Sequence, residues 1–229
     1  MRVLDAFARI VQLGGDPARM DRVAAMRATF EERTGPFSPD DDWFEARSRA
    51  FWCHAVTRGR FGREVEDELT ADERSWLGPL ERAHRGLFRA EDGLLIDVWS
   101  GAELIVNLVE DSSRAELDAA AGQLFDGTVV GSFDRDPGVQ PSVAESGLVM
   151  ALVPGAVFHS RDATASIELV LAAARARELS TDDVLDALLR MERMLRSHSR
   201  VKAAYAYRPE TLTPQSAGVP VRRAARPST

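Results

Sequence analysis

Cysteine occurs once in 229 residues, at Cys53, so neither an internal disulfide nor a cysteine-rich zinc site forms within this chain. A lone thiol is the usage of a reducing compartment, and a cytoplasmic location is expected. Lysine is as scarce: Lys202 is the only one, and its setting, Arg200-Val201-Lys202-Ala203, is not a Walker-type phosphate loop. No G-x-G-x-x-G and no G-x-S-x-G occurs, which excludes the dinucleotide-binding and hydrolase sites that carry those signatures. The four histidines are followed by Ala55, Arg85, Ser160 and Ser199, so no H-E-x-x-H zinc helix exists. Nowhere do about 18 uninterrupted apolar residues occur, and Asp5 and Arg9 break the N-terminal apolar stretch. Neither a membrane span nor a signal peptide is expected, and no cofactor or metal.

What is present is globular material. Hydrophobic residues make up 45% and charged residues 28%, with Gly 16 and Pro 11, which excludes disordered, collagenous and low-complexity classes. The length suits one large domain or two small ones. The net charge of −7 is divided unevenly: residues 1–189 carry 20 basic and 34 acidic residues, and residues 190–229 carry 9 and 2. An acidic body with a basic end argues against nucleic-acid coating over the whole surface and leaves room for one local anion-binding patch.

Along the chain, Val3, Leu4, Phe7, Ile10 and Val11 share one helical face before Gly14-Gly15. Asp16-Pro17 and Ser38-Pro39 each read as N-cap and first-turn proline, the second followed by Asp40, Asp41 and Asp42 at the positive end of a helix dipole. Thr70-Ala71-Asp72-Glu73 matches a capping box opening a fourth helix through Trp76, Leu77, Leu80 and Ala83 to about His84. The period then shortens. Leu87–Ala90, Leu94–Trp99 and Ala102–Val109 read as strands, the last two joined at Ser100-Gly101, and Leu124–Phe133 and Leu148–Val153 supply two more, with a short helix from Ser113 to Ala121 between. Helical periodicity returns from Asp162, with Ser180 capping a final amphipathic helix. The expected fold is α+β, one compact unit over 1–210: helical over 1–85, mainly β over 86–160 as an antiparallel barrel or bent sheet of about five strands, helical over 161–198, extended over 199–210, with a disordered basic tail over 211–229.

Few residue groups carry chemistry. Cys53 and His54 are adjacent, but neighbours on a helix point about 100° apart, so a buried core cysteine beside a half-exposed histidine fits better than a catalytic pair. Asp134, Asp136 and Glu145 stand at positions one, three and twelve of a calcium-loop pattern, yet Val139 replaces the turn glycine and Pro137 and Pro141 stiffen the segment, so a polar hairpin loop is expected. His84, Asp97, Asp126 and His159 form an acid/base cluster if their elements end on one rim, and are explained by dipole and turn bonding if they do not. The segment His198–Arg208 concentrates Arg200, Lys202, Tyr205, Tyr207 and Arg208, with an alternation that reads as a half-buried strand. It either presents its charges to a phosphate or an acidic partner, or straps the C-terminus to the body.

Asp42-Trp43-Phe44, the helix running to His84, Arg85-Gly86-Leu87-Phe88, and the strands with Asp97 and Gly101 resemble, in that order, the helix-then-small-β region of uncharacterised bacterial proteins that accompany SEC-C metal-binding motifs. The resemblance covers roughly Trp43–Val153 and implies the layout. The cysteine cluster of SEC-C is missing, so no metal function comes with it. Without a catalytic signature, the expected role is a non-catalytic binding or adaptor module with a protein partner or a second copy, since Trp43, Phe44, Trp52 and Trp76 exceed the needs of one small core. The alternatives are an enzyme using His84, Asp97, Asp126 and His159, and nucleic-acid contact through the basic tail.

Overall fold

A computed structural model describes residues 2–91, 94–107, 115, 117, 118, 122–133, 146–198 and 200–212. The expected helix over Ser113–Ala121, the loop with Asp134, Asp136 and Glu145, and the tail beyond residue 212 lie wholly or largely outside these residues.

The N-terminal layer begins with α1 (Val3–Gly14), whose Val3, Ala6, Phe7, Ile10 and Leu13 are all buried on one stripe. Asp16 caps a 3₁₀ turn at Pro17–Arg19 that leads into α2 (Met20–Thr34), as the Asp-Pro signal requires. The Ser38-Pro39 signal is overruled. Ser38 and Asp41 close a single turn, the Asp41 carboxylate accepting from the Ser38 amide at 2.7 Å and the Asp41 amide donating to the Ser38 carbonyl at 3.0 Å, and α3 starts only at Phe44, running to Thr57. A short helix, α4 (Phe61–Glu64), precedes the expected fourth helix, which is broken into two: α5 (Ala71–Arg74) with the Thr70–Glu73 capping box in place, and α6 (Leu77–Glu81). Pro79 lacks the amide that would bond back to Ser75, so α5 cannot run on and a new helix starts with Pro79 in its first turn.

Five strands follow: β1 (His84–Glu91), β2 (Leu94–Asp97), β3 (Glu103–Val106), β4 (Leu124–Phe133) and β5 (Ser146–Phe158). β1 begins three residues earlier than the sequence pattern suggests, because His84 and Arg85 are buried and pair with β4, and β5 runs longer because it pairs with β3 from Ser146 and with β4 as far as Phe158. The sheet is mixed and its pairing closes on itself in the order β1-β2-β3-β5-β4. The expectation of purely antiparallel strands is corrected at one seam: β3 and β5 are parallel, with Ile105 opposite Leu148. The reason is topological. A closed ring with an odd number of strands cannot alternate direction all the way round, so at least one pair must be parallel.

Inside the ring, Phe88, Leu95, Leu104, Phe125, Val129, Val149 and Leu152 form one core. A second core joins α1, α3 and the short helices to Val130, Ala151 and Val153 on the outer face of β4 and β5. α3 comes so close to β5 that a Cβ on Gly155 would lie 2.7 Å from the Cys53 Cβ. The third core covers Leu87 and Leu124 with α7 (Thr164–Ala176) and α8 (Thr181–Arg196), the latter capped by Ser180. Each fully buried Leu, Ile or Phe in these cores contributes roughly 1.5–3 kcal/mol.

After α8 the chain does not extend as a strand. Ala203–Ala206 forms a one-turn helix, α9, and Ala206, Tyr207 and Leu212 dock into the α7/α8 core. Alanine-rich sequence favours this turn, and the ring leaves the segment no partner strand. No helix among the described residues is long and apolar enough to cross a membrane.

Candidate functional site

The four acid/base candidates fall into three separate polar clusters. The first lies at the start of β1 and the end of β2. His84 Nε2 is 2.9 Å from Asp97 Oδ2, and both side chains are buried. Asp97 also accepts from the Trp99 amide at 3.0 Å and the Ser100 hydroxyl at 2.7 Å, so it organises the β2–β3 turn. At Gly101 in that turn φ is +80°, a conformation glycine adopts without the cost other residues incur.

The second cluster is built around Arg85. Its guanidinium donates to both oxygens of Asp126 at 3.2 and 2.7 Å, and to Asp186 and Asp182 on α8 at 2.8 and 3.3 Å. Arg33 on α2 completes the group, 2.7 Å from the other Asp186 oxygen. Burial pushes the Arg85 pKa down, but Asp126 and Asp186 outweigh it and hold the side chain charged well above its ordinary range. For Asp182 burial pushes upward, and the positive charge of Arg85 with Arg58 and Arg33 holds the carboxyl below its usual range. The network clamps α2, α8, β1 and β4 together with bidentate charge-assisted bonds.

Beside Arg85 and Asp126, between α3 and the ring, is a cavity of about 20 Å³ lined also by Cys53, His54, Thr57, Arg58 and Thr128. That volume holds a single water molecule. Burial, helped by the charge of Arg85, lowers the His54 pKa to about 4, and its Nδ1 is buried without a hydrogen-bond partner. Burial raises the Cys53 pKa to about 11, so it is a thiol and not a thiolate nucleophile at neutral pH.

The third cluster joins β5, α8 and the C-terminal segment. Tyr207 donates to Glu192 in a short hydrogen bond, and His159 Nδ1 is 2.8 Å from the tyrosine oxygen. Glu192, fully buried, also accepts from the Ser160 amide at 3.1 Å, the Ser160 hydroxyl at 2.8 Å and Arg196 at 2.7 Å. Burial drives its pKa upward, and the bonds from His159 and Tyr207 reverse this and hold it far below the usual carboxylate range. The phenol moves the other way, raised by burial and by the negative Glu192. His159 Nε2 is buried and has no partner.

The structure thus joins His84 to Asp97, places Asp126 with Arg85, and gives His159 to Tyr207 and Glu192. Of the five residues named in the C-terminal segment, Arg200, Lys202, Tyr205 and Arg208 are exposed, with the Arg208 guanidinium 5.3 Å from the Tyr205 ring centre. Tyr207 docks on the body and is 2% exposed, whereas Tyr205 stays at the surface. Sequence reasoning missed Arg85, Asp186 and Glu192. A signal existed, since Asp186 and Glu192 stand among Val184, Leu185, Leu188, Leu189 and Met191 on α8, and a carboxylate within an apolar stripe requires a buried partner. Among the described residues no group of three or more His, Cys, Asp or Glu is arranged to hold a metal ion. Comparison with protein-family models, curated protein sequences and solved structures finds no match to this chain.

Proposed function

We propose that this protein is a non-catalytic binding module that recognises an acidic segment of a protein partner through the exposed face of residues 200–208. The observation that carries the reading is the anchoring of Tyr207. Its hydroxyl is tied to Glu192 and His159, and Ala206 and Leu212 are buried on either side, so the segment is held in one place. Tyr205, 57% exposed, and Arg208 then form a fixed cation–π pair at the surface, with Arg200 and Lys202 exposed on the same short segment. A preorganised aromatic flanked by cations favours a carboxylate-rich peptide, because little ordering entropy is lost on binding. The reading is also supported by the engagement of His84, Asp97, Asp126 and His159 with buried partners, and by a neighbouring cavity no larger than one water.

The test is parallel affinity purification, at low and high salt, of the tagged chain and a variant with Arg200, Lys202, Tyr205 and Arg208 all changed to alanine. A stoichiometric acidic partner that is held by the native chain, weakened by salt and lost from the variant is expected. The same bound proteins on both chains would sink the reading.

A further inference from the structure

The C-terminal end of α2 is surrounded by arginines. Arg47 on α3 is fully buried, and its Nη2 donates to the Thr34 hydroxyl at 2.7 Å and to the Gly35 carbonyl at 2.8 Å. From α8, Arg190 donates to the Arg33 carbonyl, and Arg193 crosses Gly35 so closely that a Cβ there would lie 3.1 Å from the Arg193 Cδ. Gly35 has φ +86°, and this conformation turns its bare α-carbon toward α8 while its carbonyl meets Arg47. Carboxylates do not match these charges. Arg33 pairs with Asp186 at 2.7 Å, but the other Asp186 oxygen is held by Arg85 at 2.8 Å. Among the described residues Arg47 and Arg193 are in no ion pair, and Nε and Nη1 of Arg47 and Nε of Arg193 are buried without a hydrogen-bond partner. The rings of Phe30, Phe37 and Trp43 lie 5.1–5.3 Å from the Arg47 guanidinium and stabilise the cation without supplying a counter-charge. Burial lowers the Arg47 pKa to about 10 against the pull of Asp126, and the positive Arg193 pushes it the same way, so the side chain stays charged at neutral pH. Two guanidiniums on either side of one glycine, with no anion between them, form a costly arrangement.

We propose that Arg190 and Arg193, where they cross Gly35, form a binding site for a small phosphate dianion, with the buried Arg47 adding its field rather than a contact. Arg33, Arg190 and Arg193 are all half-buried, so each keeps contact with solvent. Gly35 is what admits the two α8 arginines, since a side chain there would displace Arg193. The carbonyls at the end of α2, which would repel an anion, are already covered: Arg190 binds that of Arg33, and Arg47 those of Thr34 and Gly35. A dianion suits two uncompensated cations, and guanidinium forks match the spacing of its oxygens. The surroundings limit its size. Asp40, Asp41 and Asp42 line a cavity with Arg196, one turn along α8 from Arg193, and Asp183 lies two turns before Arg190 and acts on its charge. A nucleic acid or an acidic peptide laid across this corner would meet those carboxylates, whereas free phosphate or the phosphate end of a small metabolite would not. None of the residues of the 200–208 face takes part.

Calorimetric titration of the full chain with inorganic phosphate, and separately with glycerol phosphate, tests the proposal at an ionic strength fixed by chloride. Saturable binding of one equivalent is expected. Arg193→Gln removes one fork and leaves the buried partners of Arg85 in place, so it should weaken binding by about tenfold or more. Arg208→Gln, on the C-terminal segment, should bind phosphate as the native chain does. Circular dichroism confirms that each variant is folded. If Arg193→Gln fails to fold, the Nε–Hε resonance of Arg193 in the native chain carries the test, and it should shift to saturation as phosphate is added. Tighter binding of the ester supports the site with a metabolite as its ligand, and tighter binding of inorganic phosphate supports it with the free ion. The absence of saturable binding with both probes overturns the proposal, as does Arg193→Gln binding as tightly as the native chain, an unmoved Arg193 resonance, or a loss confined to Arg208→Gln.

Discussion

Arg85 shows how much one buried side chain holds in this protein. Its guanidinium satisfies Asp126, Asp186 and Asp182 at once, and Asp126 and Asp186 are buried. Removing it leaves those carboxylates without their cation in a low-dielectric interior. Arg85→Ala is expected to cost about 3–5 kcal/mol, read as a lower urea midpoint. Arg85→Lys should recover little of that, because one ammonium cannot reproduce the fork to Asp126 and the reach to Asp186. His54 makes the complementary case. Its folded-state pKa of about 4 lies below the ordinary 6.5, so its contribution to stability is complete above pH 6.5. Below that, the unfolded chain takes up the proton first, and the contribution falls away through pH 4. The 2.5-unit gap corresponds to at most about 3 kcal/mol. His54→Gln should flatten the dependence of the urea midpoint on pH between 6.5 and 4. Asp182 and Glu192, whose pKa values are depressed, lose their stabilisation at still lower pH, so the variant should remain acid-sensitive there.

Among the elements, the C-terminal segment depends most on a single bond system. α9 is one turn long and too short to be stable alone. What fixes it is Tyr207 on His159 and Glu192, the burial of Ala206 and Leu212, and Arg177 donating to the Leu212 carbonyl at 2.9 Å. Tyr207→Phe keeps the ring in the core and deletes the hydroxyl, leaving part of Glu192 and His159 unsatisfied at about 1–3 kcal/mol. Hydrogen exchange should then quicken in residues 203–212 while the amides of β4 and β5 keep their protection. Uniform quickening across the chain would mean that the segment unfolds only with the whole molecule. The same scale explains which sequence signals survived. Thr70 and Ser180 cap their helices as their patterns indicate, because capping is a local hydrogen bond. Ser38 closes only a single turn with Asp41, and α3 starts six residues later at Phe44, while Pro79 divides a continuous apolar period into two helices.

At the scale of the whole molecule, the apolar cores inside and outside the five-stranded ring meet at its strands, and the clusters of His84, Arg85 and His159 sit on those strands or at their junctions with the helices. The alternation of period along the chain, helical then β then helical, was enough to determine an α+β fold, the strand Leu124–Phe133 to the residue, and the helices around Val3 and Val184. Periodicity reports which face of each element is apolar, and that is a local property. The parallel seam between β3 and β5 follows only from closure of an odd ring, which no single segment encodes. The grouping of His84 with Asp97, of Asp126 with Arg85, and of His159 with Glu192 was likewise a tertiary decision. Residues 13, 41 and 33 positions apart in sequence pair because strand register and helix docking bring their polar atoms to the same few ångströms, and burial then forces each charge to find its partner.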